Sequence, residues 1–138
     1  MIPDGHRPCP KCRPARTLSV FQASGPNGDI RVDMCGHCRG VWCDWGEVGE
    51  LHELVKLLPP GVTIPGTGGA ASVKRDQMPG ICPSCDKHPK LTPLLVGAFH
   101  IDRCGECLGL WFDGGELGPM LTDQGFEALL STLRSHPA

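Results

Sequence analysis

Cysteine is the residue type in this sequence whose number and spacing point most directly to a defined chemistry. The 138-residue chain has nine cysteines, and eight of them form four Cys-x-x-Cys pairs. Such a pair places two sulfurs on one tight turn, and two turns together supply four thiolates in the tetrahedral arrangement that Zn²⁺ prefers. A single pair is also found in redox-active dithiols, so the arrangement of all four pairs decides the interpretation.

The four pairs divide into two sets with similar internal spacing. The loop between the two pairs of a set has 22 residues in the first set and 18 in the second. Two like sets are typical of two structural metal sites rather than of disulfides or catalytic dithiols. The predicted ligands of the two sites are, in order, Cys9, Cys12, Cys35 and Cys38, and then Cys82, Cys85, Cys104 and Cys107.

We expect both sites to hold Zn²⁺, so that the chain carries two zinc ions. Iron bound as in rubredoxin uses the same four thiolates and stays open as the alternative. Because cysteine thiolates fill all four positions, the metal has no open position for water or substrate. We therefore expect that the protein is not an enzyme.

The sequence repeats itself around the second pair of each set. Residues 35–47 align with residues 104–116, and eight of the thirteen positions are identical. The shared pattern is Cys-Gly-x-Cys-x-Gly-x-Trp-x-Asp-x-Gly-Glu. The ninth cysteine, Cys43, aligns with Phe112, which favours a packing role over a role as metal ligand. The two tryptophans, Trp42 and Trp111, are expected to form the small core of each copy.

Strand and helix patterns surround these motifs. Residues rich in β-branched and alternating apolar types flank each loop and predict an antiparallel hairpin, with turn residues 24–29 at the tip of the first one. A carboxylate followed three residues later by glutamate, as in Asp44 with Glu47 and Asp113 with Glu116, predicts a helix start with a capping box. Each copy should therefore end in a helix.

These elements predict a small metal-stabilised α+β fold made of two tandem zinc ribbons, each an antiparallel hairpin with zinc knuckles followed by a short helix. We place the first ribbon and its helix at residues 1–58 and the second ribbon with a C-terminal amphipathic helix at residues 82–138. Residues 59–81 are rich in Gly and Pro and lack periodicity, so we interpret them as a linker. Whether the two ribbons pack together is left open by the sequence.

The order CPxC, hairpin, CxxCxGxWxDxGE resembles the bacterial zinc-ribbon family that is named after the ribbon of transcription factor IIB. The resemblance covers residues 9–51 and 82–117. It implies a zinc-ribbon fold with the eight paired cysteines as zinc ligands. It implies little about activity, because the family is defined by its domain and not by a shared function.

Basic residues concentrate around the first predicted site. They form a candidate contact patch together with one tryptophan that the second copy lacks, namely Arg7, Lys11, Arg13, Arg16, Arg39 and Trp45. Such a patch could bind nucleic acid or could be only a solvated face. With zinc bound, the formal charge of −2 falls to roughly −6, since four thiolates and one Zn²⁺ leave −2 per site. Any nucleic-acid contact would therefore be local.

The helices suggest a different kind of partner. They carry more apolar surface than two ribbons of this size would be expected to cover, so either the ribbons pack on each other with the helices between them or a partner protein covers part of that surface. We predict a protein-binding adaptor with structural zinc sites, and the alternative is a transcription-associated, nucleic-acid-binding ribbon that uses the basic patch. The chain begins without a signal-peptide pattern and has no run long enough to span a membrane, so we expect a cytoplasmic protein without a membrane partner. Its oligomeric state is left open.

Overall fold

The computed structural model describes residues 1–25, 28–64 and 66–137. The predicted hairpin tip includes Pro26 and Asn27, which lie outside the described residues. The elements in chain order are β1 (Ser19–Gly25), β2 (Gly28–Met34), β3 (Val41–Cys43), α1 (Glu47–Val55), α2 (Val73–Asp76), β4 (Thr92–Val96), β5 (Phe99–Arg103), β6 (Leu110–Phe112), α3 (Leu117–Met120) and α4 (Asp123–Ser135). Within the described ranges, no helix is long and apolar enough to cross a membrane.

The two ribbons join in one antiparallel sheet of six strands. The strand order is β1-β2-β3-β6-β5-β4, so each ribbon contributes three strands and the short strands β3 and β6 meet in the middle. Their register pairs Trp42 with Trp111, and Val41 with Phe112. The ribbons are therefore not independent modules on a tether, because their backbones hydrogen-bond to each other.

The period of two along β3 and β6 sends alternate side chains to two different apolar clusters. Val41 and Phe112 belong to a cluster with the apolar residues of the helices. Trp42 and Trp111, which point the other way, belong to a cluster with the cysteines. The predicted small α+β fold of two zinc ribbons is confirmed, with the helices packed on the sheet and the cysteines grouped around the tryptophans.

The apolar faces of the helices are covered by the chain itself. Leu51 of α1 is 1% exposed, Leu129 of α4 is completely buried, and Leu130 is partly exposed. The surplus of apolar surface that suggested a partner is thus largely buried against strands of both ribbons. The argument for a protein partner on the helix faces loses most of its basis.

Residues 59–81, interpreted as a linker from their composition, are closely packed where they cross the second ribbon. We call residues 66–78 the strap. A Cβ atom added to Gly115 would lie 2.5 Å from the backbone nitrogen of Ala71, and one added to Gly118 would lie 2.4 Å from the carbonyl oxygen of Thr67. Glycine at these two positions leaves the strap room to approach the backbone of the second ribbon.

The predicted capping boxes form only in part. The backbone N–H of Asp44 donates to Glu47 Oε1 at 2.6 Å, and that of Asp113 donates to Glu116 Oε1 at 3.1 Å. The aspartate side chains do not cap the helices; each accepts a hydrogen bond from the indole Nε1 of the tryptophan two residues earlier. Residue Gly46, with φ of 89°, stands at the N-cap of α1 without a side-chain hydrogen bond.

Candidate metal centres and a basic track

The eight predicted ligands form two clusters of four sulfurs. In each cluster the four Sγ atoms all lie within 4.8 Å of one another. The closest contacts are 3.8 Å for Cys9 with Cys38 and 3.7 Å for Cys82 with Cys107. A tetrahedron of sulfurs at about 2.3 Å from a zinc ion has edges of roughly 3.8 Å, so the spacing fits a bound metal. The chain therefore has two four-cysteine metal-binding sites.

Backbone amides support the sulfurs in both clusters. The N–H of each second cysteine of a pair points at the sulfur of the first, at 3.4 Å for Cys12 to Cys9 and 3.5 Å for Cys107 to Cys104. Such hydrogen bonds stabilise negative charge on a thiolate and orient it toward the metal. The knuckle turns end on left-handed residues, Arg39 with φ of 66° and Leu108 with φ of 64°.

The ninth cysteine and the tryptophans have the packing roles that the sequence predicted. Cys43 is 1% exposed and belongs to the apolar cluster under the helices, where burial raises the pKa of its thiol well above the usual value. Trp42 and Trp111 are completely buried. The burial of Cys43 agrees with its alignment with Phe112, which is completely buried.

Each tryptophan lies against the other ribbon. A Cβ atom added to Gly40 would lie 2.1 Å from Trp111 Cζ2, and a Cβ atom added to Gly109 would lie 2.2 Å from Trp42 Cζ2. The glycine and the tryptophan of the repeated motif therefore form one reciprocal contact between the copies. The glycine is needed because only a residue without Cβ leaves space for the indole.

The predicted contact patch is corrected at Arg7, which is 5% exposed. Its Nη1 atom lies 2.9 Å from Asp33 Oδ2 and 2.9 Å from Asp44 Oδ2. Burial raises the pKa of Asp33 to about 6, and the charge of Arg7 opposes that rise. Arg7 is therefore an internal counter-ion of the first ribbon and is not available to a partner.

Lys11 also leaves the patch, because it is 1% exposed and crosses to the second ribbon. Its ammonium lies 3.0 Å from Asp102 Oδ2 and 2.9 Å from Asp113 Oδ2, and it donates to the carbonyl of Arg75 at 2.6 Å. Burial raises the pKa of Asp102 to about 6, with Lys11 again opposing. The basic neighbours of Lys11 in the sequence suggested that it lies on the surface. The structure instead buries its ammonium between two carboxylates that are far away along the chain.

The remaining patch residues are joined by two cations that the sequence analysis assigned to the linker. Two clefts, of about 270 and 360 Å³, share Ser72 and Arg75 in their linings and adjoin the first cysteine cluster. Apart from the buried Lys11, which also lines the first cleft, we name the cations of these clefts the basic track, which consists of Arg13, Arg16, Arg39, Lys74 and Arg75. Among the described residues, no carboxylate lines either cleft or forms a salt bridge with these five side chains.

Two track residues are fixed by the knuckle beneath them. The guanidinium of Arg13 donates to the carbonyls of Cys12 at 2.8 Å and Pro10 at 3.1 Å. Arg75 points its Nη1 at Cys12 Sγ from 3.9 Å. Burial lowers the pKa of Arg75, but the negative sulfurs outweigh burial and leave the pKa raised. The exposed Trp45, 68% accessible, does not line either cleft.

The comparisons with known proteins agree with the site. The family model described as "Transcription factor zinc-finger", of the transcription factor IIB zinc-ribbon type, matches residues 8–57 and 81–121, which is more than half of the chain. No curated protein and no solved structure matches the chain. With both matched regions centred on a four-cysteine cluster, the chain belongs to the transcription factor IIB-type zinc-ribbon family and carries two copies of its domain in tandem.

Proposed function

We propose that this protein is a non-enzymatic binding module in which two structural zinc ions hold a nucleic-acid-binding surface beside the first ribbon. Zinc is the metal we propose for both sites because the spacing of the sulfurs fits it and the family is a zinc-ribbon family. Four cysteines at each site leave no position for a reacting ligand, which supports a structural role. Reduced thiolates require a reducing compartment, so we propose a cytoplasmic setting.

The basic track is the observation that carries this proposal. It places five basic side chains around two adjoining clefts that no carboxylate of the described residues lines, whereas Arg7 and Lys11 are each buried between aspartates. Lys and Arg side chains that neutralise phosphates release counter-ions, and this release supplies most of the affinity for nucleic acid. The negative charge of the rest of the chain confines binding to this surface.

The test is fluorescence anisotropy of a labelled 20-nucleotide single strand, and of the same sequence as a duplex, against the zinc-loaded protein at 50 to 200 mM salt. If the track neutralises five phosphates, the slope of log K against log salt is roughly −3.5 for a single strand and −4.5 for a duplex. Arg16→Gln and Lys74→Gln should each reduce the slope by about 0.7 to 0.9.

The matched controls are Lys87→Gln and Lys90→Gln, which remove exposed cations from the second ribbon, outside the track. They should leave the slope unchanged. Absence of binding at 50 mM salt, or equal effects of the track and control variants, would refute the proposal.

A protein partner is the second candidate, and a specific surface favours it. A groove of about 410 Å³ lies between the end of α1, residues 58–64 and the start of α4. Its rim is apolar and open to solvent, with Val55 37% and Val62 50% exposed, and the neighbouring Leu57 is 64% exposed. This surface replaces the helix faces that the sequence analysis assigned to a partner.

Co-purification tests this second candidate. Val62→Asp and Leu57→Asp should abolish capture of a protein that binds the wild type, while Leu95→Asp, which places a charge at a 59% exposed position on β4, should retain it. Equal capture by all variants, each with its full metal content, would exclude the groove as the docking surface.

A further inference from the structure

Helix α2 connects the two ribbons through three consecutive side chains. Lys74 and Arg75 belong to the basic track, whereas the next residue, Asp76, points to the second ribbon. Both oxygens of Asp76 are bound by one histidine: Oδ1 accepts from the backbone N–H of His100 at 2.7 Å, and Oδ2 lies 2.7 Å from His100 Nδ1. Asp76 is thus the anchor that positions the cations of the strap.

A second carboxyl group meets this anchor. Carboxylate oxygens of Asp76, Asp113 and Glu116 lie within 4.8 Å of one another. Glu116 is completely buried; its Oε1 accepts from the backbone N–H of Asp113, and its Oε2 has no hydrogen-bond donor. Two adjacent carboxylates, one completely buried and one partly buried, cannot both be ionised without a large cost, but a proton on one of them allows a hydrogen bond between them.

We propose that a proton shared between Glu116 and Asp76 latches α2 onto the second ribbon, and that loss of this proton at alkaline pH releases α2 and removes Lys74 and Arg75 from the basic track. The latch itself is a property of the fold. Only its effect on ligand binding rests on the proposed function.

The charges around Glu116 explain why a proton is held there. Asp113 on its own loop, Asp76 on the strap and Asp102 on β5 are acidic, and the facing bases are His100 and Lys11. Lys11 is already shared by Asp102 and Asp113, and His100 is bound to Asp76. Among the described residues, no cation therefore remains for Glu116, whose Oε1 accepts from a backbone N–H and whose Oε2 has no donor.

The direction of the pH dependence follows from the pKa. Burial, the neighbouring carboxyl of Asp76 and the charge of Asp113 raise the pKa of Glu116 to about 9, from a usual value of 4.5. The docked state therefore keeps a proton that a released, hydrated Glu116 gives up. Docking is strongest at low pH and weakens as pH rises toward 9, by at most tenfold per pH unit because one proton is linked.

The test uses the zinc-loaded full chain without nucleic acid. Nuclear magnetic resonance follows the carboxyl carbon of Glu116 and the backbone amides of residues 72–77 from pH 6 to 10. In the wild type both should titrate together, with a midpoint well above that of an ordinary glutamate. In Glu116→Gln, whose amide donates to Asp76 at every pH, the transition of the strap amides should disappear.

Glu47→Gln is the matched control, because Glu47 makes the same backbone hydrogen bond in the first ribbon and burial raises its pKa to about 8, but the acidic groups around it are Asp4, Asp33 and Asp44. The strap transition should persist in this variant. Two results in the wild type alone would overturn the latch. One is strap amides that do not titrate between pH 6 and 10. The other is a titration midpoint of the Glu116 carboxyl that equals that of an ordinary glutamate.

Binding of the labelled strand at two pH values separates the two proposals. If the latch controls the track, affinity falls between pH 7 and 9 in the wild type and not in Glu116→Gln. If the strap amides titrate as expected but the protein binds no nucleic acid, only the proposed function is refuted. Binding that is equally pH-dependent in both proteins overturns the link between latch and track.

Discussion

Replacing Gly40 by alanine tests the reciprocal contact between the two ribbons. The added Cβ would lie 2.1 Å from Trp111 Cζ2 and 2.6 Å from Cη2. Carbon atoms pack at about 3.5 to 4.0 Å, so one of the two groups must move by more than 1 Å. The indole cannot move freely, because it is completely buried and its Nε1 donates to Asp113 at 2.8 Å.

The expected cost has two parts. Overpacking a well-filled core costs about 1 to 3 kcal/mol, and loss of the indole hydrogen bond adds about 1 kcal/mol. Gly40→Ala should therefore lower the free energy of unfolding by roughly 2 to 4 kcal/mol. With a urea slope of about 1.5 kcal/mol per M, typical of a small protein, the midpoint falls by roughly 1 to 3 M.

The assay is urea unfolding of the zinc-loaded protein, followed by circular dichroism. Gly36→Ala is the matched control: it lies in the same knuckle, and a Cβ added there meets nothing within 4 Å. It should be neutral or slightly stabilising, since alanine restricts the unfolded chain. Trp111→Phe removes the atoms that clash, so Gly40→Ala should cost far less in that background.

Two results would refute this reasoning. One is a Gly40→Ala protein as stable as Gly36→Ala, which would mean that the indole relaxes without cost. The other is a loss of stability on Gly40→Ala that is the same in the wild type and in the Trp111→Phe background, which would mean that the strain does not arise from the Trp111 indole.

Two further predictions concern the links between the ribbons. Lys11→Met leaves Asp102 and Asp113 buried without a counter-ion, so it should cost about 3 to 5 kcal/mol at pH 8. Because burial already raises the pKa of Asp102, protonation of the aspartates at pH 5 should relieve part of this loss of stability. Thermal unfolding at pH 5 and pH 8 measures the loss, and an equal loss at both pH values would contradict the ion-pair explanation. Cys82→Ser should release the second metal and also weaken the first ribbon, because β3 and β6 share hydrogen bonds. Elemental analysis measures the metal content, and the rate of zinc release from the first site measures the stability of the first ribbon. A first site that releases zinc as slowly as in the wild type would contradict the prediction.

Local patterns predicted much of this molecule. The ligand cysteines, the hairpins and the positions of α1 and α4 follow from spacing and periodicity, which depend on residues close together in the chain. The buried role of Cys43 followed from one aligned position, Phe112. Each of these features is determined within a single copy of the repeat.

What sequence reasoning missed depends on contacts between the copies. Lys11 was assigned to a surface patch because basic residues surround it, but its partner Asp113 lies 102 positions away. The strap was interpreted as a linker because its sequence has no apolar periodicity. It packs on the second ribbon through backbone contacts with glycines, and such contacts need no regular spacing of apolar side chains. The extra glycine of the second copy, Gly114, was a usable signal of close backbone approach, since the first copy has Trp45 at that position and a Cβ added to Gly114 would lie 2.5 Å from the carbonyl oxygen of Cys38.

The reciprocal contact has a consequence for the assembly of the fold. Gly40 with Trp111 and Gly109 with Trp42 form a self-complementary interface of the kind found in a two-fold symmetric dimer. Two separate copies of one ribbon could close the same interface as a homodimer, so the covalent connection between the halves is not what makes them fit. The charges depart from this symmetry. Lys11 spans to the other half, whereas the hydroxyl of its counterpart Ser84 is buried without a hydrogen-bond partner among the described residues, and Arg7 compensates the acids on that side.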